Sequence, residues 1–314
     1  RANQARDIGA IFAIGESKMV TMKWMMFIKH LQTLGIEGAG KTIKSLGFEG
    51  VDLTVRPGGS VLPENVRTGL PEAQKIFADQ GLQVPLVTTA ITSTRDEHVA
   101  AIFETAAACN IRELKLGYVP YKKFGTFETL LADVQRDLDG ITSLAHSTGV
   151  RANIHTHSGP YISTQPAIVL QLLKDRDPAS IGAYADPGHM TVEGSRDGWR
   201  QGLDLLGKRI NLVAVKDLAW EEVDDAKLHK KRWRTRIVPL DRGAVAWPEV
   251  FECFKTLGFN GWVSIHSEYQ GGHSWKDMTV PEVIEQTRAD LAYLRRAVPD
   301  ANVPGAAPTT RPEN

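Results

Sequence analysis

The stretch TFETLLADVQRDLDGITSLAHSTGVRANIHTH, residues 126–157, contains the unit that decides the fold. Its first part places apolar side chains at the three- to four-residue spacing of an amphipathic helix. Gly149 then ends the helix, because glycine adopts a positive φ at a helix C-terminus without strain. The run VRANIH, 150–155, follows as a short strand that leads into His155 and His157. Residues two apart in a strand point to the same side, so we expect both imidazoles on one face.

The same unit recurs along the chain. Strand-like runs occur at 8–14, 50–55, 84–91, 112–117, 150–155, 181–186, 210–217 and 261–268. Helical patterns follow them, the first of which is MKWMMFIKHLQTLG at 22–35. Such alternation predicts a parallel sheet with right-handed crossovers. Eight units in about 290 residues predict an α/β fold, a closed (β/α)8 TIM barrel.

An open doubly wound sheet is the competing fold, and the loop after the first predicted strand argues against it. That loop reads AIGESKM and lacks the GxGxxG phosphate-binding pattern. We therefore predict a single-domain barrel over residues 1–300. The end of the chain, 301–314, is rich in Pro, Ala and Thr, and we expect it to be a flexible tail.

Composition excludes several classes of protein. The 314 residues carry 37 basic and 37 acidic side chains, so no net charge attracts nucleic acid or a membrane surface. Cys109 and Cys253 are the only cysteines and make no disulfide framework. No apolar run is long enough to span a bilayer. The chain starts at Arg1, which fits either a cytoplasmic protein or one exported after removal of an N-terminal signal. A homo-oligomer is possible.

One basic stretch could indicate a nucleic-acid surface. KLHKKRWRTR, 227–236, combines cations with an aromatic residue. However, it follows the acidic run WEEVDD, 220–225, and we expect the two to neutralise each other. A loop of this length in a compact fold is more often a lid or a partner surface. We therefore predict no nucleic-acid partner.

Polar residues cluster at the ends of the predicted strands, where TIM barrels carry their active sites. The strand ends supply Asp52, Arg56, Glu113, Lys115, His155, His157, Asp186, His189, Lys216, Asp217, His266 and Glu268. Buried charges and imidazoles are costly unless they are paired or coordinated, so their convergence indicates a site. Alternatively, the histidines could be ordinary hydrogen-bonded loop residues, and Asp186 could set a turn. We expect Glu113 to face helices or solvent, and Asp217 to pair locally with Lys216.

Three neighbouring strands offer a candidate metal site. His155, Asp186 and His266 supply imidazole nitrogens and a carboxylate, which suit Zn²⁺, Mn²⁺ or Fe²⁺. Such an ion would act as a Lewis acid on a substrate oxygen. Glu268 lies on the same strand face as His266 and is a further ligand or a base. Lys216 and His189 could hold substrate oxygens or move protons.

With these residues assembled, the chain resembles the xylose isomerase-like TIM barrels, the sugar phosphate isomerase/epimerase family, over roughly residues 8–297. The resemblance lies in four segments: GFEGVDLTV at 47–55, ADPGH at 185–189, VAVKD at 213–217, and PLDRGAVAWPEVFECFKTLGFNGWVSIHSEY at 239–269. It implies a (β/α)8 barrel that binds a divalent ion (Mn, Zn, Mg or Fe) and isomerises or epimerises sugars.

The departures from the family pattern affect the site. Where the family usually has a glutamate ligand on strand five and an acid on strand eight, this chain has His155 and His266. Ala214 stands at the usual strand-seven histidine, and Asp186 is the one usual ligand kept unchanged. The glutamates at the first two positions form the acid–base pair of ketose epimerases in this fold. The two-base epimerisation is therefore not expected in its usual form.

The resemblance implies an isomerase or epimerase, with lyase activity possible, that removes a proton next to the carbonyl of a sugar or polyhydroxy compound. Glu268 is the expected base, His189 a substrate contact or acid, and Lys216 the stabiliser of developing negative charge. The expected pocket-lining residues are Arg56, Lys115, Tyr118 and His157. One alternative is a non-catalytic sugar-binding barrel or partner subunit. Another is a nuclease like the abasic-site endonucleases of this fold, which the neutral net charge disfavours.

Overall fold

The computed structural model describes residues 21–305, which form a barrel of parallel strands surrounded by helices. The barrel strands are β1 Lys23–Phe27, β2 Gly50–Thr54, β3 Gln83–Thr88, β4 Glu113–Lys115, β5 Arg151–His155, β6 Ile181–Ala185, β7 Ile210–Val215 and β10 Trp262–Ile265. They close in the order β1, β10, β7, β6, β5, β4, β3, β2. The predicted (β/α)8 barrel is confirmed, and seven of its strands lie at predicted positions.

The first barrel strand lies where the sequence pattern predicted a helix. β1 pairs with β2 on one side and with β10 on the other. Residues 28–34 form a 3-10 helix, and the predicted helix over 22–35 is therefore wrong. A strand buried on both faces is a solid apolar run, which periodicity alone does not distinguish from a buried helix. The predicted strand at 8–14 lies outside the described residues.

The helices pack around the barrel and bury the main core between the two layers. They are α1 Gly35–Ser45, α2 Val66–Asp79, α3 Val99–Ala108, α4 Phe127–Thr148, α5 Pro166–Leu173, α6 Pro187–Leu206, α7 Trp247–Leu257 and α8 Val280–Ala297. Gly149 follows α4 with φ 68°, the left-handed conformation expected of it. Inside the barrel, a small apolar layer is formed by Met25, Leu86, Tyr184, Leu212 and Ala214.

This inner layer positions the polar residues of the mouth. Because side chains alternate along a strand, the residue two positions after an inward-facing one also faces inward. Asp186 follows Tyr184 in this way, and Lys216 follows Ala214. Both are buried at the carboxyl end of the barrel. The fold therefore directs the polar strand ends towards the barrel axis.

The long loop after β7 is a β-hairpin. Its strands, β8 Asp217–Asp225 and β9 Lys230–Val238, pair antiparallel over their whole length. Glu221 pairs with two arginines of β9, Lys231 Nζ lies 3.2 Å from Glu222, and Arg232 Nε lies 2.9 Å from Asp225. The acidic and basic runs therefore neutralise each other across the hairpin, as the sequence indicated.

The segment after α8 packs against the amino-terminal end of β1, opposite the mouth. Trp24 is fully buried and donates its indole N–H to the Ala301 carbonyl at 2.8 Å. Ala301 and Val303 are themselves buried. Residues 306–314 of the predicted tail lie outside the described part of the chain. Among the described helices, none is long and apolar enough to cross a membrane.

Candidate active site

A polar cavity of about 110 Å³ opens at the carboxyl ends of the barrel strands. Its wall consists of Phe27, Lys29, Arg56, Thr88, Lys115, Tyr118, His155, His157, Tyr184, Lys216, His266 and Glu268. Eight of the ten predicted site residues line it. The other two, Asp186 and His189, are buried directly behind the wall and contact it. The structure thus brings the predicted residues together at one mouth.

Lys216 joins two carboxylates in this cavity. Its Nζ lies 3.2 Å from Asp186 Oδ2 and 3.2 Å from Glu268 Oε2. The lysine is 2 % exposed. Burial alone would lower the pKa of Lys216, but Asp186 and Glu268 raise it above its usual value. The ammonium is therefore charged at neutral pH, as the stabiliser of a negative charge must be.

Glu268 accepts from a second ammonium. Lys29 Nζ lies 2.8 Å from its Oε1, on the side away from Lys216. Burial would raise the pKa of Glu268, but Lys216, then His266 and Lys29, hold it well below its usual range. The carboxylate is therefore ionised at neutral pH and able to accept a proton. Its basicity stays low as long as both lysines remain in contact with it.

A hydrogen-bonded chain fixes the orientation of His155. Tyr118 places its hydroxyl 2.8 Å from His155 Nδ1, and Asp186 Oδ2 lies 3.2 Å from Nε2. Burial, followed by the charges of Lys216 and Lys115, lowers the pKa of His155 well below its usual value. A neutral ring in this position accepts from Tyr118 and donates to the carboxylate. Both ring nitrogens of His155 are therefore engaged within the protein.

His266 is held on the other side of the cavity by buried polar groups. Its Nε2 lies 2.8 Å from the Tyr184 hydroxyl oxygen. The same hydroxyl donates its hydrogen to Asp52 at 3.2 Å. Asp52 accepts in addition from Thr88 at 2.5 Å and from Ser264 at 3.0 Å. Asp52 therefore orients the Thr88 and Tyr184 side chains of the cavity wall through hydrogen bonds. His266 Nδ1 is buried, has no hydrogen-bond partner among the described residues, and lies 3.8 Å from Glu268 Oε2.

His157 and His189 stack against each other, with ring centroids 3.8 Å apart. His189 Nδ1 lies 2.7 Å from the Ser158 hydroxyl, and its Nε2 is buried without a hydrogen-bond partner in residues 21–305. Burial, followed by the charge of Lys216, lowers the pKa of His157 to about 4 and that of His189 well below its usual value. Both rings are therefore neutral at pH 7.

The three predicted metal ligands do not present open donor atoms to one point. His155 has no free nitrogen, His266 offers only Nδ1, and Asp186 Oδ2 is in contact with the Lys216 ammonium. The rings of the two histidines lie 6.0 Å apart between centroids. A divalent ion on these residues would have to displace Lys216 from Asp186. The arrangement described here therefore does not fit a bound ion.

One other group of described residues does gather three donor atoms within 4.8 Å of one another. It consists of His30, Glu268 and His273, at the rim of the mouth. The two oxygens of Glu268 are, however, already in contact with Lys29 and Lys216. Two ammonium groups beside the same carboxylate oppose the approach of a further cation. We therefore assign no metal to this group.

Two expectations for strand-end residues are wrong. Asp217 does not pair with Lys216; it accepts from the backbone of Leu218 at 2.8 Å and from the Trp247 indole at 2.9 Å. Consecutive strand residues point to opposite faces, which separates the two side chains. Glu113 faces neither helices nor solvent: it is buried on the inner side of the barrel, pairs with Arg151, and accepts from Asn153 at 2.8 Å.

Four residues of the cavity wall were not predicted from the sequence. They are Phe27, Lys29, Thr88 and Tyr184. The first two lie at the end of β1 and just beyond it, in the segment that was interpreted as a helix. Thr88 ends β3, and Tyr184 lies two residues before Asp186 on the same strand face. The period-two pattern was a signal that could have identified Tyr184.

Comparison with known proteins identifies the fold family. A family profile described as xylose isomerase-like TIM barrel matches residues 41–297. Comparison with curated protein sequences finds no relative. Similar solved structures include 3-keto-D-glucoside 4-epimerase YcjR from E. coli, at 14% identity and TM-score 0.64, covering 88% of this chain and 100% of that one.

Two further structures have the same fold. One is a D-psicose 3-epimerase determined in the presence of D-fructose, at 14% identity and TM-score 0.64, covering 88% of this chain and 99% of that one. The other is a xylose isomerase-like TIM barrel protein from Mycobacterium smegmatis in complex with magnesium, at 14% identity and TM-score 0.57, covering 83% of this chain and 89% of that one. Taken with the closed barrel and the family profile, these findings show that the chain belongs to the xylose isomerase-like TIM barrel family.

Proposed function

We propose that the chain is a sugar isomerase- or epimerase-like enzyme that removes a proton from the carbon next to a carbonyl group of a polyhydroxy substrate. The observation that carries this proposal is the Lys216 ammonium held between Asp186 and Glu268 in the mouth cavity. A buried ammonium beside an ionised carboxylate is the pair that such a step needs. One group accepts the proton, and the other stabilises the oxygen on which negative charge develops.

The two roles are coupled through the shared contact. Glu268 is a weak base while Lys216 lies 3.2 Å from its Oε2. A carbonyl oxygen that gains negative charge attracts the Lys216 ammonium and draws it away from the carboxylate. The basicity of Glu268 then rises at the moment when it accepts the proton. Lys29 stays on Oε1 and keeps the side chain in position.

The remaining residues orient the substrate. Tyr118 and His157 form one aromatic side of the cavity, with ring centroids 4.5 Å apart. Burial is the main cause that raises the pKa of the Tyr118 hydroxyl well above its usual value, so it stays protonated and holds His155. His189 supports His157 from behind and directs an unpartnered nitrogen towards Asp186, at 3.7 Å from Oδ2. It is a positioning residue in this scheme.

A divalent ion on His155, Asp186 and His266 stays a prediction. The magnesium complex of the Mycobacterium smegmatis protein favours metal binding in this family, whereas the contact between Lys216 and Asp186 opposes it here. The steps above use only groups of this chain.

Solvent exchange tests the proposal without knowledge of the natural substrate. The protein is incubated in D₂O with a panel of ketoses and their acid and phosphorylated derivatives, and NMR detects deuterium next to the carbonyl. We expect exchange with the wild type on at least one compound, and its loss in Lys216→Met and Glu268→Gln. Lys208→Met is the matched control, because Lys208 is exposed at the opposite end of β7. A protein that binds such a compound but exchanges no hydrogen would instead be a non-catalytic sugar-binding barrel.

A further inference from the structure

Two cations in the cavity wall lack a carboxylate partner among the described residues. They are Arg56, which follows β2, and Lys115, which ends β4. By contrast, the other two lysines of the wall, Lys29 and Lys216, both contact Glu268. The wall therefore contains four cations and one carboxylate, and the two unpaired cations lie on the β2–β4 side.

Lys115 is the more unusual of the pair. It is 3 % exposed, and its Nζ lies 3.5 Å from the centre of the Tyr118 ring. A cation–π contact with an aromatic ring stabilises an ammonium group less than an ion pair with a carboxylate does. Arg56 is half-buried, with its guanidinium carbon 5.8 Å from the centre of the Phe27 ring. Each side chain lies against an aromatic ring, but neither contacts an anionic group in the part of the chain that the structure describes.

Burial and the neighbouring charges determine the pKa of Lys115. Its pKa is lowered to about 7, mainly by burial and to a smaller extent by the charges of Arg56 and Lys216. Asp52 and Glu268 act in the opposite direction but do not outweigh them. Asp52 itself already accepts three hydrogen bonds from hydroxyl groups. A buried ammonium of this kind is stabilised when a ligand supplies the missing negative charge.

We propose that Arg56 and Lys115 form a subsite for an oxyanion, so that the substrate is an anionic sugar derivative carrying a carboxylate or a phosphate. This inference rests on the proposed function for the reacting end of the substrate. The anionic group binds on the β2–β4 side of the cavity, and the carbonyl lies across from it at Lys216 and Glu268. A guanidinium and an ammonium are the two side chains best suited to such a group.

Calorimetric titration with defined probes tests the subsite directly. The probes are D-gluconate, inorganic phosphate and sorbitol, which has the carbon chain of gluconate without its charge. We expect at least one anion to bind, and sorbitol to bind at least tenfold more weakly than gluconate if the carboxylate is the recognised group. If phosphate binds tightly and gluconate does not, the result identifies a phosphorylated substrate. The subsite is overturned if neither anion binds, or if sorbitol binds as tightly as the anions.

Variants locate the binding. Lys115→Met and Arg56→Met should each lower the affinity for the anion at least tenfold, whereas Lys122→Met, at an exposed lysine in the loop between β4 and α4, should leave it unchanged. If Lys115→Met does not fold, Arg56→Met, at a half-buried position, still decides the question. Equal affinity in the wild type and in Arg56→Met would overturn the subsite.

A proton balance supplies an independent readout when gluconate is the ligand. Its carboxylate is fully ionised at pH 7, and its arrival beside Lys115 raises the pKa of the lysine. The protein should therefore take up protons when it binds gluconate at pH 7. This uptake makes the measured heat depend on the ionisation enthalpy of the buffer, and Lys115→Met should abolish that dependence. Because binding needs no turnover, these results are separate from the exchange assay. Exchange on neutral ketoses with no anion binding would leave the proposed function intact and remove the subsite.

Discussion

Replacing Lys115 by methionine should stabilise the fold while weakening ligand binding. The buried ammonium has no carboxylate partner among the described residues, and the pKa of Lys115 falls from 10.5 in water to about 7. At 1.36 kcal/mol for each pH unit, this difference costs the folded state roughly 5 kcal/mol when the lysine is charged. The contact with the Tyr118 ring, worth about 1–2 kcal/mol, is lost in the variant. We therefore expect a net gain of about 3 kcal/mol at pH 6.

The free energy of unfolding should also change with pH in a defined direction. In the unfolded chain Lys115 binds its proton up to about pH 10.5, whereas in the folded protein it loses the proton above about pH 7. Between these values the unfolded state holds more protons, so the stability of the wild type rises with pH. The advantage of the methionine variant should shrink by about 1.4 kcal/mol for each pH unit in that range. Between pH 6 and pH 9 the total decrease is about 3 kcal/mol.

Urea unfolding at pH 6, 7.5 and 9, followed by circular dichroism, measures this effect as the difference between variant and wild type. Taking the difference cancels the titration of all other groups that the substitution leaves unaffected. Lys122→Met, at an exposed position, serves as the matched control and should show no difference that varies with pH. A Lys115→Met protein that is less stable than the wild type at pH 6, or an advantage that is constant across pH, would refute the interpretation of Lys115 as an unpaired buried cation.

Three further outcomes follow from the site. Glu268→Gln should lower the rate of solvent exchange, measured by NMR, at least about a hundredfold, because the general base is lost. The control Glu252→Gln, on the exposed face of α7, should leave the rate unchanged. Titration with Mn²⁺ followed by electron paramagnetic resonance should show tighter binding to Lys216→Met than to the wild type; a stoichiometric site in the wild type would confirm the metal prediction and contradict our interpretation of the Lys216 contacts. Asp217→Asn should cost about 1–3 kcal/mol of stability and alter the fluorescence of Trp247, whose indole N–H donates to Asp217 at 2.9 Å; an unchanged free energy of unfolding would contradict this prediction.

The sequence predicted the architecture and most of the site because both depend on simple periodicity. Seven barrel strands could be located from apolar runs and from the polar residues that follow them. β1 could not, since WMMF is buried on both faces and has no alternation to distinguish it from a helix. This one error also removed Lys29 from the predicted site, although it lies 2.8 Å from Glu268.

The two-residue period of strands explains two further differences between the expected and the observed site. Glu113 and Lys115 are two apart on β4 and share the inner face, so the burial of one predicts that of the other. Lys216 and Asp217 are adjacent and point apart, which excludes the expected pair. Gly243 also lies where a Cβ atom would be 1.9 Å from Asp217, so this glycine lets the loop approach the carboxylate closely. Contacts of this kind depend on three-dimensional packing and have no local signature.

The positions at which this chain departs from the family pattern have a common electrostatic consequence. His155 and His266 stand where the resemblance implies acidic groups, so fewer negative charges surround the mouth, and burial keeps the His155 ring neutral by lowering its pKa. The two carboxylates that contact Lys216, on Asp186 and Glu268, are matched in number by the ammonium groups of Lys216 and Lys29. A divalent ion added to this balanced set would leave excess positive charge in a buried site, which is costly. At Arg56 and Lys115 the charge is already in positive excess, because neither cation contacts a carboxylate among the described residues, and an anionic substrate would balance it. The distribution of charge thus favours catalysis by the protein's own cations and recognition of an acidic sugar derivative.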